Sequence, residues 1–525
     1  MPSHLLHISR AADLDNIWDR RLYRALEIMP GFLAWTTIFL VVILSFVKPV
    51  WVAIFVIAFD IYWLFKAIYL SLHMRAAFVR MRKELKRNWQ EELARARPAT
   101  PELAGTSWQD LYHLVILPMY KEPLAVVRES FQGLVKARYP LDQLVVVLAT
   151  EERAGQEAQE TARAIEREFG HRFFHFLITT HPENLPGEIP GKGSNEAWAG
   201  NQVRNSVVDP LAIPYERIVT SVFDIDTVVH PDFFTCLTWH YLTNPKALRS
   251  SFQPIPLFIN NIWEAPAFAR VFAFSTTFWQ MIQQARPERL VTFSSHSMSF
   301  RALADVGFWQ GNMVSEDSRI FWQCLLHYDG DWQAVPLYFP VSMDANVAST
   351  FWQTAKNQYR QIRRWLYGAE NNAYLLFGFL KNHSIPWFKK LSIGWFMVET
   401  THSSATNSLI IVLLGWLPLF FGGIHFSGSI LSYNLPQVTR TIMNATMLGL
   451  ASSVFISLAL LPPRSIRHGR FTTLWMVVQW LLFPINFIVF GAIPALDAQT
   501  RLMFGRYLNF WVTPKTRRWT AIQNG

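Results

Sequence analysis

The stretch Arg217-Ile218-Val219-Thr220-Ser221-Val222-Phe223-Asp224-Ile225-Asp226-Thr227 is rich in β-branched and apolar residues up to Phe223, then turns abruptly acidic. Such a run reads as a buried strand, and the carboxyl ends of strands in an open α/β sheet are where ligands bind. Two carboxylates one residue apart at that end can share one divalent cation, and a hard cation held by oxygens suits a diphosphate. Asp-x-Asp is also a short, common loop pattern, and an acidic loop explains it equally well in isolation.

Working outward, the segments before it alternate between strand and helix patterns. Residues 114–117 form a short apolar run ending in Pro118-Met119-Tyr120-Lys121-Glu122, followed by a helical pattern through Val135. A second strand over 144–148 ends at Ala149-Thr150-Glu151-Glu152, a charged helix spans 156–169, and a third strand covers 173–178. A loop rich in Pro and Gly holds Pro190-Gly191-Lys192-Gly193-Ser194-Asn195 and leads through a helix to the strand before Asp224. This alternation predicts a nucleotide-binding α/β domain. Gly191-Lys192-Gly193 lacks the spacing and the Ser or Thr after Lys that a P-loop requires. Downstream, Ser315-Glu316-Asp317 precedes a helical run to His327, where Ser315 or Asp317 would ordinarily be a helix cap. Gln358 to Trp365 is basic and aromatic, as expected of residues at a membrane surface.

Composition explains why a membrane enters. The chain has 525 residues, 51% of them hydrophobic, with 22 Trp and 41 Phe. That is too apolar for an ordinary soluble enzyme and too charged for a pure membrane bundle. Two cysteines, Cys236 and Cys324, offer neither a disulfide framework nor a cysteine zinc site, and the 15 histidines show no His-x-x-x-His pair with a neighbouring Glu. Apolar stretches at 31–47 and 50–72, split by Lys48-Pro49, predict a helical hairpin across a bilayer. The basic run Arg75, Arg80, Arg82, Lys83, Lys86, Arg87, Arg95 and Arg97 follows, which places the middle domain in the cytoplasm. The net charge of +10 therefore reads as membrane topology, and no nucleic-acid partner is expected. Residues 407–421, 442–461 and 473–492 are further candidate spans, with Arg464, Arg467, His468 and Arg470 between the last two. An even number of crossings keeps the basic tail on the cytoplasmic side.

Asp224-x-Asp226, Ser315-Glu316-Asp317 and Gln361-x-x-Arg364-Trp365, in this order, resemble the Asp-x-Asp, Thr-Glu-Asp and Gln-x-x-Arg-Trp signatures of membrane-integrated family 2 glycosyltransferases, the group of cellulose, chitin and hyaluronan synthases. Phe510-Trp511-Val512-Thr513-Pro514-Lys515 resembles the Phe-x-Val-Thr-x-Lys gating loop of bacterial cellulose synthase. Pro118, Tyr120 and Glu122 match the opening strand, and Lys192 with Asn195 resembles the Lys-containing loop near the donor diphosphate. The resemblance implies an α/β GT-A-like (Rossmann-like) cytosolic domain embedded between transmembrane helices of a polytopic α-helical protein of the inner or plasma membrane. The expected segments are a cytosolic or interfacial start (1–30), a transmembrane hairpin (31–72), a basic linker (73–104), the transferase domain (105–370), interfacial and transmembrane helices (371–497) and a gating-loop-like tail (498–525).

It further implies an inverting transfer of sugar from a nucleotide-sugar, with a UDP-sugar expected, to a growing polysaccharide, with or without its translocation. Asp226 with Asp224 would hold Mg2+ or Mn2+, helped in neutralising the diphosphate by Lys192 and Arg364. Asp317, beside Glu316, would be the base, and Trp365, preceded by Gln361, would stack on the acceptor sugar. Phe510, Val512, Thr513 and Lys515 would close over the donor. Two alternatives stand: a non-processive transferase acting on a polyprenyl-phosphate or other lipid acceptor, and an inactive membrane scaffold with a degenerate transferase domain. Accessory export subunits are left open. Where the family usually carries the uracil-reading Asp, this chain has Thr150-Glu151-Glu152, and Glu151 is taken as the nucleobase contact. The Phe-Phe-Cys-Gly-Ser pattern on the acceptor side stands here as Thr292-Phe293-Ser294-Ser295-His296. No cyclic-dinucleotide-binding domain is expected after Lys515.

Overall fold

The computed structural model describes residues 5–463 and 471–515. Arg464, Arg467, His468 and Arg470, and Arg517 and Arg518 of the tail, lie outside them. Eight strands make one mixed sheet: β1 (Tyr112–Pro118), β2 (Leu144–Glu151), β3 (His175–His181), β4 (Ile218–Val222), β5 (Val228–Val229), β6 (Ser250–Leu257), β7 (Ser297–Ser299) and β8 (Gln333–Ser342), in the order β3-β2-β1-β4-β7-β6-β8-β5. The first four are mutually parallel, and β7 then runs antiparallel between β4 and β6.

The reason for the parallel half lies in the residues. β2 is buried at every position and β1 at all but its ends, the near-continuous burial of strands covered on both faces. Alternation then sorts side chains by face. Val115, Leu117, Val146 and Leu148 pack with Phe131 and Ile165 of helices Leu124–Val135 and Gln156–Phe169. Leu114, Ile116, Val145 and Val147 pack with Ala199, Val203, Ile320 and Leu325 of helices Lys192–Val203 and Glu316–His327. Two motif-bearing helices, that of Lys192 and that of Asp317, thus cover the same face of the sheet.

Long apolar helices precede and follow the sheet in the chain. The first helix, α1, runs Ile17–Val47, capped by Asn16, whose side chain accepts from the amides of Trp18 and Asp19. The second, α2, runs Pro49–Glu84 with proline at its first position, so Arg75 to Lys83 extend the same helix instead of forming a linker. Among the described residues, three helices are long and apolar enough to cross a membrane by length and composition: Ile17–Val47, Pro49–Glu84 and Thr473–Met503. The pair Trp387–Val412 and Leu414–Phe421, bent by 45°, makes a fourth if it is one span. The 442–461 stretch lies in helix Ile430–Leu460 but for its last residue, Leu461, which caps it. Helix Phe351–Leu366 carries Gln361, Arg364 and Trp365, and leaves Trp352 79% exposed at its start.

Candidate active site

The strand ends gather the polar residues. Asp224 and Asp226 follow β4; Lys192 opens its helix after the Gly191 loop; Asp317 lies in the first turn of helix Glu316–His327. The Lys192 ammonium is 2.8 Å from Asp224 Oδ1 and 2.8 Å from each carboxylate oxygen of Asp317. Glu196 and Glu316 lie at 3.6 and 4.0 Å. Burial opposes the Lys192 charge, but these four carboxylates hold its pKa well above the ordinary value. Burial likewise opposes ionisation of Asp224, yet Lys192 and Lys515 keep its carboxyl well below the usual range. Glu316 is pushed up to about 8 by burial and then by Asp317. Lys192 thus serves several acids at once, while burial pushes Glu196, like Glu316, toward its protonated form.

The helix-cap reading of the Ser315 triplet does not hold. No side chain caps this helix; the Ser315 hydroxyl donates to Glu370 Oε1 at 2.7 Å, and Asp317 is taken by Lys192.

Asp226 forms the second centre. Its Oδ2 accepts from the Lys515 ammonium at 2.6 Å and from the Asp344 amide at 2.9 Å, while its buried Oδ1 has no hydrogen-bond partner. Lys515 belongs to the tail, which lies across the site. The Arg364 guanidinium sits 4.5 Å from the Phe510 ring centre and that of Arg360 is 5.7 Å from the ring of Trp511. Thr513 is buried and its hydroxyl has no partner. Val512 is half-buried between them. Phe510 also lies so close to Gly191 that a Cβ there would come within 2.5 Å of its ring. Gly191→Ala is therefore expected to lift Phe510 from the Lys192 loop without touching a charged group, raising hydrogen exchange over residues 508–515; unchanged exchange there would mean the tail does not rest on this loop.

The remaining expected residues divide. Glu151, at the end of β2, pairs with Arg153 at 2.5 Å and lines a cavity of about 390 Å³ together with His181, Asn184 and Glu188. The Arg153 guanidinium stacks 4.6 Å from the Tyr120 ring, and Glu122 accepts from the Tyr120 amide at 2.7 Å. Trp365 is 38% exposed, its ring 6.3 Å from that of Phe258, and Gln361 is half-buried one turn earlier. Asn195 is buried; its amide donates to the Ala149 carbonyl at 2.7 Å, tying the Lys192 helix to β2, while its Oδ1 has no hydrogen-bond partner.

Several site residues went unassigned in the sequence. The Ser294 hydroxyl donates to Asp224 Oδ2 at 2.8 Å, Thr292 donates to the Asp317 carbonyl, and His296 Nδ1 lies 3.9 Å from Asp317. Asp344 follows β8, and burial and then Asp226 push its carboxyl up to about 8. Thr292, Ser294 and His296 lie in the stretch set against the acceptor-side pattern, just before β7, where no role was assigned to them; Asp344, two residues after β8, belongs to no recognisable motif.

No known protein-family model matches the chain, and no curated protein matches it. Solved structures do. The mannosyltransferase PcManGT from Pyrobaculum calidifontis, in complex with GDP-Man and Mn2+, is 13% identical with a TM-score of 0.43, over 77% of this chain and 99% of that one. S. aureus TarS 1-349, in complex with UDP-GlcNAc, is 10% identical with a TM-score of 0.35, over 75% of this chain and 91% of that one. Both likenesses are distant.

Proposed function

We propose that this chain is a membrane-integrated glycosyltransferase of the family 2 type, with a GT-A-like domain facing the cytoplasm, that moves a sugar with inversion from a nucleotide-sugar to a growing polysaccharide. The observation that carries the reading is the meeting of Lys192 with Asp224 and Asp317, residues from three distant parts of the chain, at 2.8 Å, with the tail's Lys515 closing on Asp226.

The chemistry follows from charge. Breaking the bond between the anomeric carbon and the phosphate oxygen leaves negative charge on the nucleoside diphosphate, which Lys192 and Arg364 are placed to neutralise as it develops. A diphosphate entering the site also competes for the Lys192 ammonium and so releases the Asp317 carboxylate. The freed carboxylate takes the acceptor hydroxyl proton while that oxygen attacks from the face opposite the leaving group. Trp365 offers a flat apolar face for the acceptor ring.

A divalent cation fits these residues. Among the described residues no three His, Cys, Asp or Glu side chains are grouped as a metal site. Mg2+, however, commonly takes one or two carboxylates and draws its other oxygens from substrate phosphates. Asp226, with its buried unpartnered Oδ1, and Asp224 supply that donor set. Bound there, Mg2+ or Mn2+ would stabilise the diphosphate charge. Asp226→Ala is expected to abolish metal-dependent donor binding and turnover. Equal donor affinity with and without EDTA in the unmodified protein would overturn the metal assignment, and the size of the transferred product separates polymer from single transfer.

A further inference from the structure

We propose that residues 5–14 act as a backbone clamp on the Asp317 helix, and that Arg319 is the positioning residue through which they act. The inference rests on the reading of Asp317 as the base and extends it to a segment that the reaction itself does not touch.

The clamp is anchored by its side chains and read through its carbonyls. Leu5, Ile8, Ala11 and Leu14 are buried in a cluster with Tyr23 of α1 and Ala373 and Phe377 of helix Glu370–Lys381. This leaves three successive carbonyls turned toward the catalytic layer. That of Leu6 accepts from the Tyr374 hydroxyl at 3.0 Å and Gln323 at 3.4 Å. That of His7 accepts from Gln310 at 2.8 Å, and that of Ile8 from the Arg319 guanidinium at 2.9 Å. Gln323 and Arg319 both belong to helix Glu316–His327, so the segment grips the same helix at its first and second turns.

Arg319 is 0% exposed. A guanidinium in that position must be hydrogen-bonded on several sides or it costs more than it contributes. Besides Ile8, its acceptors are the neutral oxygens of Gln310 at 3.0 Å and Asn371 at 2.6 Å, and it stacks 3.8 Å over the Tyr374 ring. Two residues apart on a helix means nearly opposite sides. Asp317 therefore faces Lys192 while Arg319 is held from behind. With no side-chain cap at its start, this helix is fixed sideways: through Arg319, and through Ser315 on Glu370. Its Nη2 already has no hydrogen-bond partner, so losing the Ile8 carbonyl would deprive the buried charge further, and the first turn, with Asp317, would shift to find another acceptor.

The clamp is also tied to the membrane side. The Ala11 amide donates to Glu27 of α1 at 3.1 Å, and Glu27 accepts in turn from the Tyr507 hydroxyl of the tail at 2.9 Å. The start of the chain, α1, the tail and the Asp317 helix thus share one polar network.

The test compares the full chain in lipid nanodiscs with a variant lacking residues 2–9 and with Arg319→Lys and Arg319→Met. Two quantities are read: hydrogen exchange over residues 314–320, and the kcat and donor KM of sugar transfer. Deletion and Arg319→Met should raise exchange there and lower kcat at least about tenfold with donor KM little changed, the pattern of a displaced catalytic group. Arg319→Lys should fall between, and a synthetic peptide of residues 2–9 added to the deletion variant should restore both quantities. If the deletion variant does not fold, Arg319→Met and Gln323→Ala, which keep the segment, decide alone. Exchange over 314–320 equal to that of the full chain, or a loss of kcat matched by an equal rise in KM, would overturn the clamp. If the full chain transfers no sugar at all, the proposed function fails, while the exchange comparison still decides whether the clamp exists.

Discussion

Asp317→Asn is expected to leave donor binding nearly unchanged and to lower sugar transfer by about 10²-fold or more, the usual scale for losing a general base. The geometry sharpens the expectation. Both Asp317 oxygens lie 2.8 Å from Lys192, and the side chain has no role in capping its helix. A capping residue would instead cost about 1 kcal/mol of stability and leave the rate almost intact. The amide of Asn is nearly isosteric and still accepts one hydrogen bond from Lys192, so the fold should survive while the proton acceptor is gone. Transfer kinetics and a thermal melt on the same preparation check this. A near-normal rate in a thermally weakened protein would return Asp317 to a structural role.

Truncation before Phe510 is expected to abolish transfer in a protein that still inserts and folds. Phe510 rests on the Gly191 loop and under Arg364, and Lys515 pairs with Asp226, so the tail covers the ground a donor diphosphate would occupy. Such a cover excludes water where hydrolysis of the donor competes with transfer. Donor and tail must then rearrange together, and bound nucleotide should change hydrogen exchange across residues 510–515. An interfacial anchor, the ordinary reading of a Phe-Trp pair among arginines, predicts neither effect. An active truncated protein, or a tail whose exchange ignores nucleotide, would support the anchor.

What could be read from the chain alone depended on how much of each element's environment was local. The parallel half of the sheet was legible because strands buried on both faces are nearly pure apolar runs, and β1, β2 and β4 each end in polar residues where the site lies. The helix over 156–169 was read at its actual limits, since its face is strongly amphipathic between two glycines. The other, mixed half was not legible. β7 has three residues and β8 carries two prolines, and they are strands because β4 and β6 flank the one and β6 and β5 the other. Asp344 was missed with them, and Ser294 and His296 stood in the acceptor-side stretch without an assigned role. The start of the chain read as a cytosolic or interfacial helix because Asp13, Asp15, Asp19 and Glu27 are interleaved among arginines; Leu5, Ile8, Ala11 and Leu14 bury against Tyr23 and against Ala373 and Phe377, more than 350 positions away, a pairing no local pattern displays. Asn195, set beside Lys192 by resemblance, also donates to the Ala149 carbonyl, a tie to β2 that the sequence pattern does not display.

Nucleotide release from a panel of nucleotide-sugars by the purified full chain in nanodiscs, beside Lys192→Met, tests the central claim most directly. The account predicts metal-dependent release from at least one donor, with the sugar recovered on an acceptor, and its loss in Lys192→Met. Release no greater than that of Lys192→Met with every donor offered would contradict it.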